Sequence, residues 1–392
     1  MSAYALTKLV LTDFRNYAHL RIETDDRPVV LTGQNGSGKT NLLEAISFLS
    51  PGRGLRRAKL AEAANSNGSG NWAVAADVRL DGEETSLGTG LVRSGADTGK
   101  NGENRETQDR RSVRIEGRNA SGSASLLEHV RINWLTPQMD RLFQEGAGGR
   151  RRFLDRLTYG FDAAHGSRTA AFDKVMRQRN RLLKEGKSDP HWLTSLERSL
   201  AETGTAIAAA RRDCIARLNG AMEETGENAV SSAFPKALLS AEGLLEGWLA
   251  DRPALAVEDR YRERLASLRR LDAAAGSTTE GPHRSDLGVH HRDKDQAAAH
   301  CSTGEQKALL ISIVLADARL QAGLQGQAPV LLLDEITAHL DGTRRNALFD
   351  ELEQMKTQAW MTGTDYALFS GLGKRAQFLT VDNGTVTETM VG

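Results

Sequence analysis

Residues 33–40 read Gly33-Gln34-Asn35-Gly36-Ser37-Gly38-Lys39-Thr40, a G-x-x-x-x-G-K-[ST] loop. It lies between a short β-branched run at Val29–Leu31 and a helical stretch at Asn41–Leu49 that Pro51 and Gly52 stop. This order limits the fold severely. A triphosphate needs several backbone N–H groups converging on it, and glycines let a chain wrap that closely. Lys39 supplies a positive charge for the β and γ phosphates, and the Thr40 hydroxyl can ligate Mg²⁺. The helix that opens at the loop favours anions at its start. Strand, loop and helix together predict an α/β nucleotide-binding fold; the bland alternative is a glycine-rich turn before an ordinary helix.

The rest of such a site must come from elsewhere in the chain. Late in the sequence, VLLLDEI places Asp334 and Glu335 at the end of a buried strand. Adjacent carboxylates there are costly without a cation or a proton partner. Mg²⁺ held through Asp334 answers the first, and Glu335 is placed to polarise a water against a γ-phosphate. Upstream, Cys301-Ser302-Thr303-Gly304-Glu305-Gln306-Lys307 contains a capping box, Ser302-x-x-Glu305. Such a helix start can cap itself, present N–H groups to a phosphate held by another subunit, or do both.

Between these halves the character changes. Strand signals occupy residues 72–80, Leu87–Val92 and Arg111–Ile115, with an almost wholly polar excursion at 94–110. From about Arg150 to Ala275 long helical patterns dominate and strand signals nearly vanish. From Gly281 the α/β pattern returns: a helix over Gly304–Ala322, strands at Val330–Leu333 and Ala359–Thr362, a helix over Gly342–Lys356, and a terminal hairpin around Asp382-Asn383-Gly384. The expected division is 1–148 for the N-terminal part of an ATPase lobe, 149–280 for an inserted helical lobe, and 281–392 for the C-terminal part. A length of 392 residues accommodates this.

Composition removes other classes. No stretch approaches the roughly 18 apolar residues of a membrane span, and the first residues carry no secretory pattern. Cys214 and Cys301 have no metal-ligand spacing, so the reading is a cytoplasmic, reduced protein. With Lys plus Arg at 51 and Asp plus Glu at 51, a uniformly basic nucleic-acid binder is excluded, but local basic patches are not. Arg53, Arg56 and Arg57 form one cluster and Arg150, Arg151 and Arg152 another; both are candidate DNA contacts. Arg177, Arg179 and Arg181, with Arg260, Arg262, Arg264, Arg269 and Arg270, suggest further basic stripes suited to backbone phosphates rather than bases. Each cluster can equally be a solvated helix face. Trp134 and Trp192 read as packing residues.

These motifs resemble the ABC-type ATPase heads: Gly33–Thr40 as Walker A, Ser302–Gln306 as the signature, Val330–Glu335 as Walker B, and Ala338-His339-Leu340-Asp341 as the D-loop. Within that class the chain resembles the RecF family of the SMC-like branch, over nearly its whole length. The marks are Phe14-Arg15-Asn16-Tyr17, Gly36–Asn41, Arg150-Arg151-Arg152-Phe153-Leu154-Asp155 and Gly281-Pro282-His283-Arg284-Ser285-Asp286-Leu287. The insertion is too short for a long SMC coiled-coil arm. The implied fold is an ABC-type ATPase head, a P-loop NTPase lobe built from both chain ends, with an inserted mainly helical second lobe.

The resemblance implies an ATP-dependent homodimer that sandwiches nucleotides. Ser302, Gly304, Glu305 and Gln306 of one subunit would face the phosphates bound by Lys39 of the other, with Asp341 in the D-loop and Mg²⁺ held by Thr40 and Asp334. It implies a weak, DNA-stimulated ATPase with Glu335 and Lys39 as catalytic residues. It further implies binding to duplex DNA and single-strand/double-strand junctions at gaps, cooperation with RecR and RecO, promotion of RecA loading, and a role in the SOS response. The alternatives are the nucleotide-binding subunit of a transporter or another SMC-like DNA ATPase. Thr303 and Glu305 depart from Ser-Gly-Gly-Gln, and Thr364-Asp365 stands where transporter ATPases carry a switch histidine; slow hydrolysis is the consequent expectation. Two positions keep two readings: Gln138 as a Mg²⁺-sensing loop glutamine or part of a plain turn after Pro137, and Arg15 as a phosphate contact or a surface ion pair.

Overall fold

Val29, Val30, Leu31 and Thr32 are all buried, as a short apolar strand covered on both faces must be. In the computed structural model this strand is central to a six-stranded sheet. The order is Thr385–Glu388, Gln377–Asp382, Val29–Thr32, Ala359–Gly363, Val330–Leu333 and Ile132–Leu135. The last five strands are mutually parallel, and Thr385–Glu388 closes one edge antiparallel through the Asp382-Asn383-Gly384 turn. The structure describes residues 2–92, 109–186, 189–224, 233–338 and 340–389. His339 and most of the polar 94–110 segment lie outside these.

Two compact units emerge: Met1–Met139 with Glu227–Phe234 and Ala318–Gly392, and Asp140–Gly226 with Pro235–Asp317. The first unit contains the parallel sheet and a second, antiparallel sheet. The latter runs Tyr17–Glu23, Ala5–Phe14, Trp72–Leu80, Glu83–Val92, Arg110–Ile115 and Arg118–Asn119. Alternating residues such as Leu9, Leu11, Val74, Ala76 and Leu87 share one core with Leu42, Leu43, Ile46, Phe48, Val330 and Leu332. Each of the larger apolar side chains, Leu, Ile, Val or Phe, contributes roughly 1.5–3 kcal/mol on full burial.

The second unit is mainly helical. Its helices are Ala147–Tyr159, His165–Glu185, Pro190–Glu224, Leu244–Trp248, Ala254–Ser267 and Arg269–Ala275, around a core that includes Phe172, Leu200, Ile207, Val257, Tyr261 and Leu265. It also contains a strand the sequence pattern conceals. Ala237–Glu242 pairs antiparallel with Asp286–His291, which pairs with Gln296–Ala297. Ala237 and Leu239 alternate with exposed residues, a period-two signal too short to stand out among long helices. This pairing, and Arg211 donating to the Pro282 carbonyl at 2.7 Å, tie residues after Gly281 to the second unit, which therefore runs to Asp317 rather than ending at 280. Trp192 is 54% exposed, so it is not a packing residue.

Candidate nucleotide site

The phosphate loop departs from extended chain because its glycines allow it. Gly33 has φ +147°, and a Cβ there would lie 2.2 Å from the Val381 carbonyl oxygen. Gly38 has φ +116° and opens the helix Lys39–Ser47. The hairpin turn before the loop braces it. Asn16 Nδ2 donates to the Ser37 carbonyl at 3.2 Å, and the Tyr17 hydroxyl donates to the Gly38 carbonyl at 3.1 Å. Asp13 and Arg15 on either side of Phe14 have positive φ, 49° and 53°, which turns this hairpin toward the loop. That explains why Phe14–Tyr17 accompanies the loop in the sequence.

Lys39 is buried and its Nζ donates to the Gly33 and Gln34 carbonyls at 2.7 and 2.8 Å. Burial pushes its ammonium below the ordinary value, against the attraction of Glu335 and Asp334. Ser37 Oγ is buried without a hydrogen-bond partner among the described residues. An ammonium resting on its own loop and an orphaned hydroxyl suit an incoming polyanion.

Strand register brings the distant half of the site to the loop. Val330–Leu333 lies one strand away from Val29–Thr32, with Ala359–Gly363 between. Thr40 Oγ1 donates to Asp334 at 2.9 Å (Oδ1) and 3.2 Å (Oδ2). Thr362, at the end of the intervening strand, donates to Asp334 Oδ1 at 2.8 Å and accepts from the Glu335 N–H at 2.8 Å. Hydroxyl and carboxylate oxygens converging here form a donor set suited to Mg²⁺. Glu335 sits at φ +49°, a strained conformation for a glutamate that occurs at functional sites. Thr362 is absent from any motif, yet ligands gather at the carboxyl ends of parallel strands, and that rule points to it.

Gln138 follows the strand Ile132–Leu135, whose Leu135 pairs with Leu333 and accepts from the Asp334 N–H at 2.9 Å. It is exposed, in a 3₁₀ turn starting at Pro137. Arg15 is different: its guanidinium grips Glu44 at 2.8 and 2.6 Å and the Glu62 carbonyl at 2.6 Å, so it makes an ion pair with a buried carboxylate rather than facing the loop. Sequence reasoning also missed Arg111. It donates to the carbonyls of Phe48, Ser50 and Gly52 beyond the end of the phosphate-loop helix, and burial lowers it to about 10. A cation at that end complements the helix dipole.

The signature turn belongs to the second unit and is satisfied within itself. Ser302 N–H and Oγ both donate to Glu305 Oε2 at 2.9 Å, and Lys294 pairs with Glu305 Oε1. Lys294, with the Ser302 donors, holds the Glu305 carboxyl at about 2, so its charge is neutralised where it stands. Gln306 is fully buried and donates to the Cys301 carbonyl at 2.8 Å; it ties the turn together instead of presenting itself outward. Ser302 is exposed and Gly304 half-exposed. Asp341 caps the helix Gly342–Gln354 by accepting from the Arg344 N–H at 2.8 Å. Asp365 likewise caps the turn after Gly363.

The arginine clusters mostly have internal employment. Arg150 forks onto Asp286 at 2.8 and 2.6 Å and reaches the carbonyl oxygens of Leu142, Phe143 and Glu145. Arg151 donates to the Ser285 carbonyl at 2.6 Å, whereas Arg152 is exposed. Arg179 is fully buried among Glu197, Asp272, Thr278 and the Leu265 carbonyl. Arg181, Arg264 and Arg269 pair with Glu185, Glu280 and Glu197, and Arg260 stacks 4.1 Å from the Trp248 ring. Arg53, Arg56 and Arg57 stay exposed after the phosphate-loop helix.

A parallel sheet carrying a phosphate loop and a Walker B aspartate, with a signature turn on a second mainly helical unit, is an ABC-type ATPase head of the SMC-like class. The family model for the RecF/RecN/SMC N terminal domain matches residues 5–386. The chain is 51% identical to the DNA replication and repair protein RecF of Mesorhizobium japonicum, over 98% of both chains. It is 49% identical to RecF of Rhizobium rhizogenes, again over 98% of each. The chain belongs to the RecF family. Its fold matches a solved structure of the recombination mediator protein RecF-ATP in the RecFOR pathway at TM-score 0.80, with 21% identity over 99% of this chain and 100% of that one. An Smc head domain from Pyrococcus furiosus matches at TM-score 0.53, with 15% identity over 99% and 96%. Among the described residues no helix is long and apolar enough to cross a membrane.

Proposed function

We propose that this chain is an ATP-dependent DNA-binding protein of replication and recombinational repair, acting as a weak, DNA-stimulated ATPase. The observation that carries this is the meeting of Thr40, Asp334 and Thr362 beside Lys39, which joins a phosphate loop to a carboxylate suited to a metal at the carboxyl ends of the parallel strands. Lys39 and the loop amides bind the phosphates of ATP. Thr40 and Asp334 hold Mg²⁺, which supplies Lewis-acid stabilisation of the phosphate oxygens. Glu335 orients and deprotonates the attacking water, with Gln138 at the adjoining strand end. Ser302 and the amide of Gly304 meet the γ-phosphate of a nucleotide on a second copy, so two heads close on two nucleotides. The 49–51% identical relatives named as DNA replication and repair proteins support the repair role.

Duplex DNA and gap junctions are the ligands of the closed dimer, bound through backbone phosphates at Arg53, Arg56, Arg57 and Arg152. RecR and RecO act as partners in promoting RecA loading and the SOS response. Hydrolysis is slow, because Thr364-Asp365 stands in place of a switch histidine. The test is DNA binding by Glu335→Gln with Mg-ATP, on gapped, duplex and single-stranded substrates across a salt series. Tighter binding with ATP than without supports the reading; equal binding in both conditions refutes it.

A further inference from the structure

Residues 150–155 and 281–287, two marks of the sequence, meet in the second unit. Arg150 pairs with Asp286, and Arg151 Nη1 donates to the Ser285 carbonyl at 2.6 Å. Beside this seam lies a pocket of about 220 Å³ with Phe172, Ile207 and Pro282 among its walls. Three guanidinium groups line it, those of Arg151, Arg152 and Arg211.

Of the three, only Arg211 is matched by a carboxylate. It forks onto Asp155 at 2.8 and 3.1 Å, and Asp155 Oδ1 also meets His165 Nε2 at 2.8 Å. Asp286 is likewise taken by both arms of Arg150. Arg151 keeps Nε and Nη2 without a partner among the described residues, and Arg152 has none there for any of its donors. Burial, and then the like charge of Arg211, pushes the Arg151 guanidinium below its ordinary value; Arg152 adds to this, against the pull of Asp286 and Asp155. The remaining acid of the pocket, Asp173, is exposed, so water screens its charge.

Gly148 leaves the two unmatched groups a common space. It lies in the first turn of the helix Ala147–Tyr159, and a Cβ there would stand 3.2 Å from Arg152 Nη1 and 3.7 Å from Arg151 Nη2. Two guanidiniums that approach one empty point, with the nearby carboxylates spent on other partners, call for an anion between them. A phosphate has enough acceptor oxygens for both forks. A backbone diester carries chain on both sides. A terminal phosphate enters a pocket by one end and brings the larger charge, about −1.5 to −2 at neutral pH.

We infer that this pocket is a seat for a terminal phosphate, either free phosphate or a phosphate monoester, held by Arg151 and Arg152 over Gly148. Arg211, already fixed by Asp155, adds its positive charge at the wall. Where the monoester is the end of a DNA strand, Arg152 meets that end rather than a backbone diester. The seat stands without the proposed ATPase; only a DNA source for the phosphate rests on that reading.

Calorimetric titration of inorganic phosphate into the full-length chain tests the seat, in a Lys39→Ala background so that the phosphate loop does not compete. Binding at about 1 mM or tighter is expected. Adding Arg151→Gln and Arg152→Gln together should weaken it at least about tenfold. Adding Gly148→Ala instead places a methyl at the shared point and should weaken it at least about fivefold, while the helix-favouring change keeps the thermal midpoint or raises it. The source is read by anisotropy with a gapped duplex whose gap carries a 5′-phosphate or a 5′-hydroxyl. Tighter binding of the phosphorylated gap, lost in Gly148→Ala, makes a strand end the source. Equal affinities, with inorganic phosphate bound as expected, make it the free ion and support the seat alike. Neither phosphate binding nor a preference for the phosphorylated gap, or either one left unchanged by these substitutions, overturns the seat. A chain that binds phosphate here but no DNA under any condition leaves the seat standing and sinks the proposed function.

Discussion

In the first unit Lys39 is buried without an ion pair among the described residues, resting on two carbonyl oxygens of its own loop, beside the Ser37 hydroxyl, which has no hydrogen-bond partner among them either. In the second unit Arg179 is buried more deeply still, but two carboxylates, a hydroxyl and a carbonyl complete its donors. Both are cations in low-dielectric surroundings, where an unpaired charge is costly. The difference separates work from architecture. A satisfied buried cation joins four helices of one unit, whereas an under-satisfied one beside a strained glutamate stands ready for a ligand.

The largest effect should come from breaking the satisfied side. Arg179→Ala leaves Glu197 and Asp272 buried with less compensation and should destabilise the second unit by about 3–5 kcal/mol. The midpoint of its urea transition, followed by tryptophan fluorescence, checks this; a shift worth less than about 1 kcal/mol would make the cluster dispensable. Lys39→Ala should do the reverse. Nucleotide affinity should fall by roughly 100-fold or more, while the unfolding midpoint stays where it is or rises, because a desolvated ammonium is removed. Calorimetric titration with Mg-ATP beside a thermal scan reads both.

Gly33→Ala falls between the two cases. Its Cβ would meet the Val381 carbonyl at 2.2 Å, so the loop must shift, and both stability and nucleotide affinity should drop, by roughly 1–3 kcal/mol of strain. Unchanged values for both would contradict the close approach.

The smallest effect concerns Glu305. Its folded carboxyl titrates at about 2 against an ordinary 4.5, so its charged form is tied to the folded turn. That contribution is full above about pH 4.5 and is lost as pH falls through about 2. Glu305→Gln should therefore flatten the acid dependence of unfolding between those values and leave neutral pH nearly unaffected. An acid limb identical to that of the wild type would show that the carboxyl has no such role.

The same contrast governs what the sequence discloses. The phosphate loop, Asp334-Glu335 and Ser302–Gln306 are legible because their chemistry requires particular residue types at fixed spacings. Most strands of the parallel sheet are legible because burial on both faces demands apolar runs. Thr362 is hidden because it becomes a ligand-side residue only when its strand lies between the other two. Arg150, Arg179 and Gln306 are misread for a related reason. A charge count along the chain does not show that Asp286, Glu197 or the Cys301 carbonyl will meet them after folding. The strand Ala237–Glu242 is concealed because the strand it pairs with, Asp286–His291, lies far downstream in the sequence.

The central claim is that the loop of one copy and the Ser302 turn of another close together on ATP. Static light scattering of Glu335→Gln with saturating Mg-ATP tests it most directly. The account predicts a dimer that forms with ATP and reverts to monomer with ADP. A protein that binds Mg-ATP yet remains monomeric at every concentration measured would contradict it.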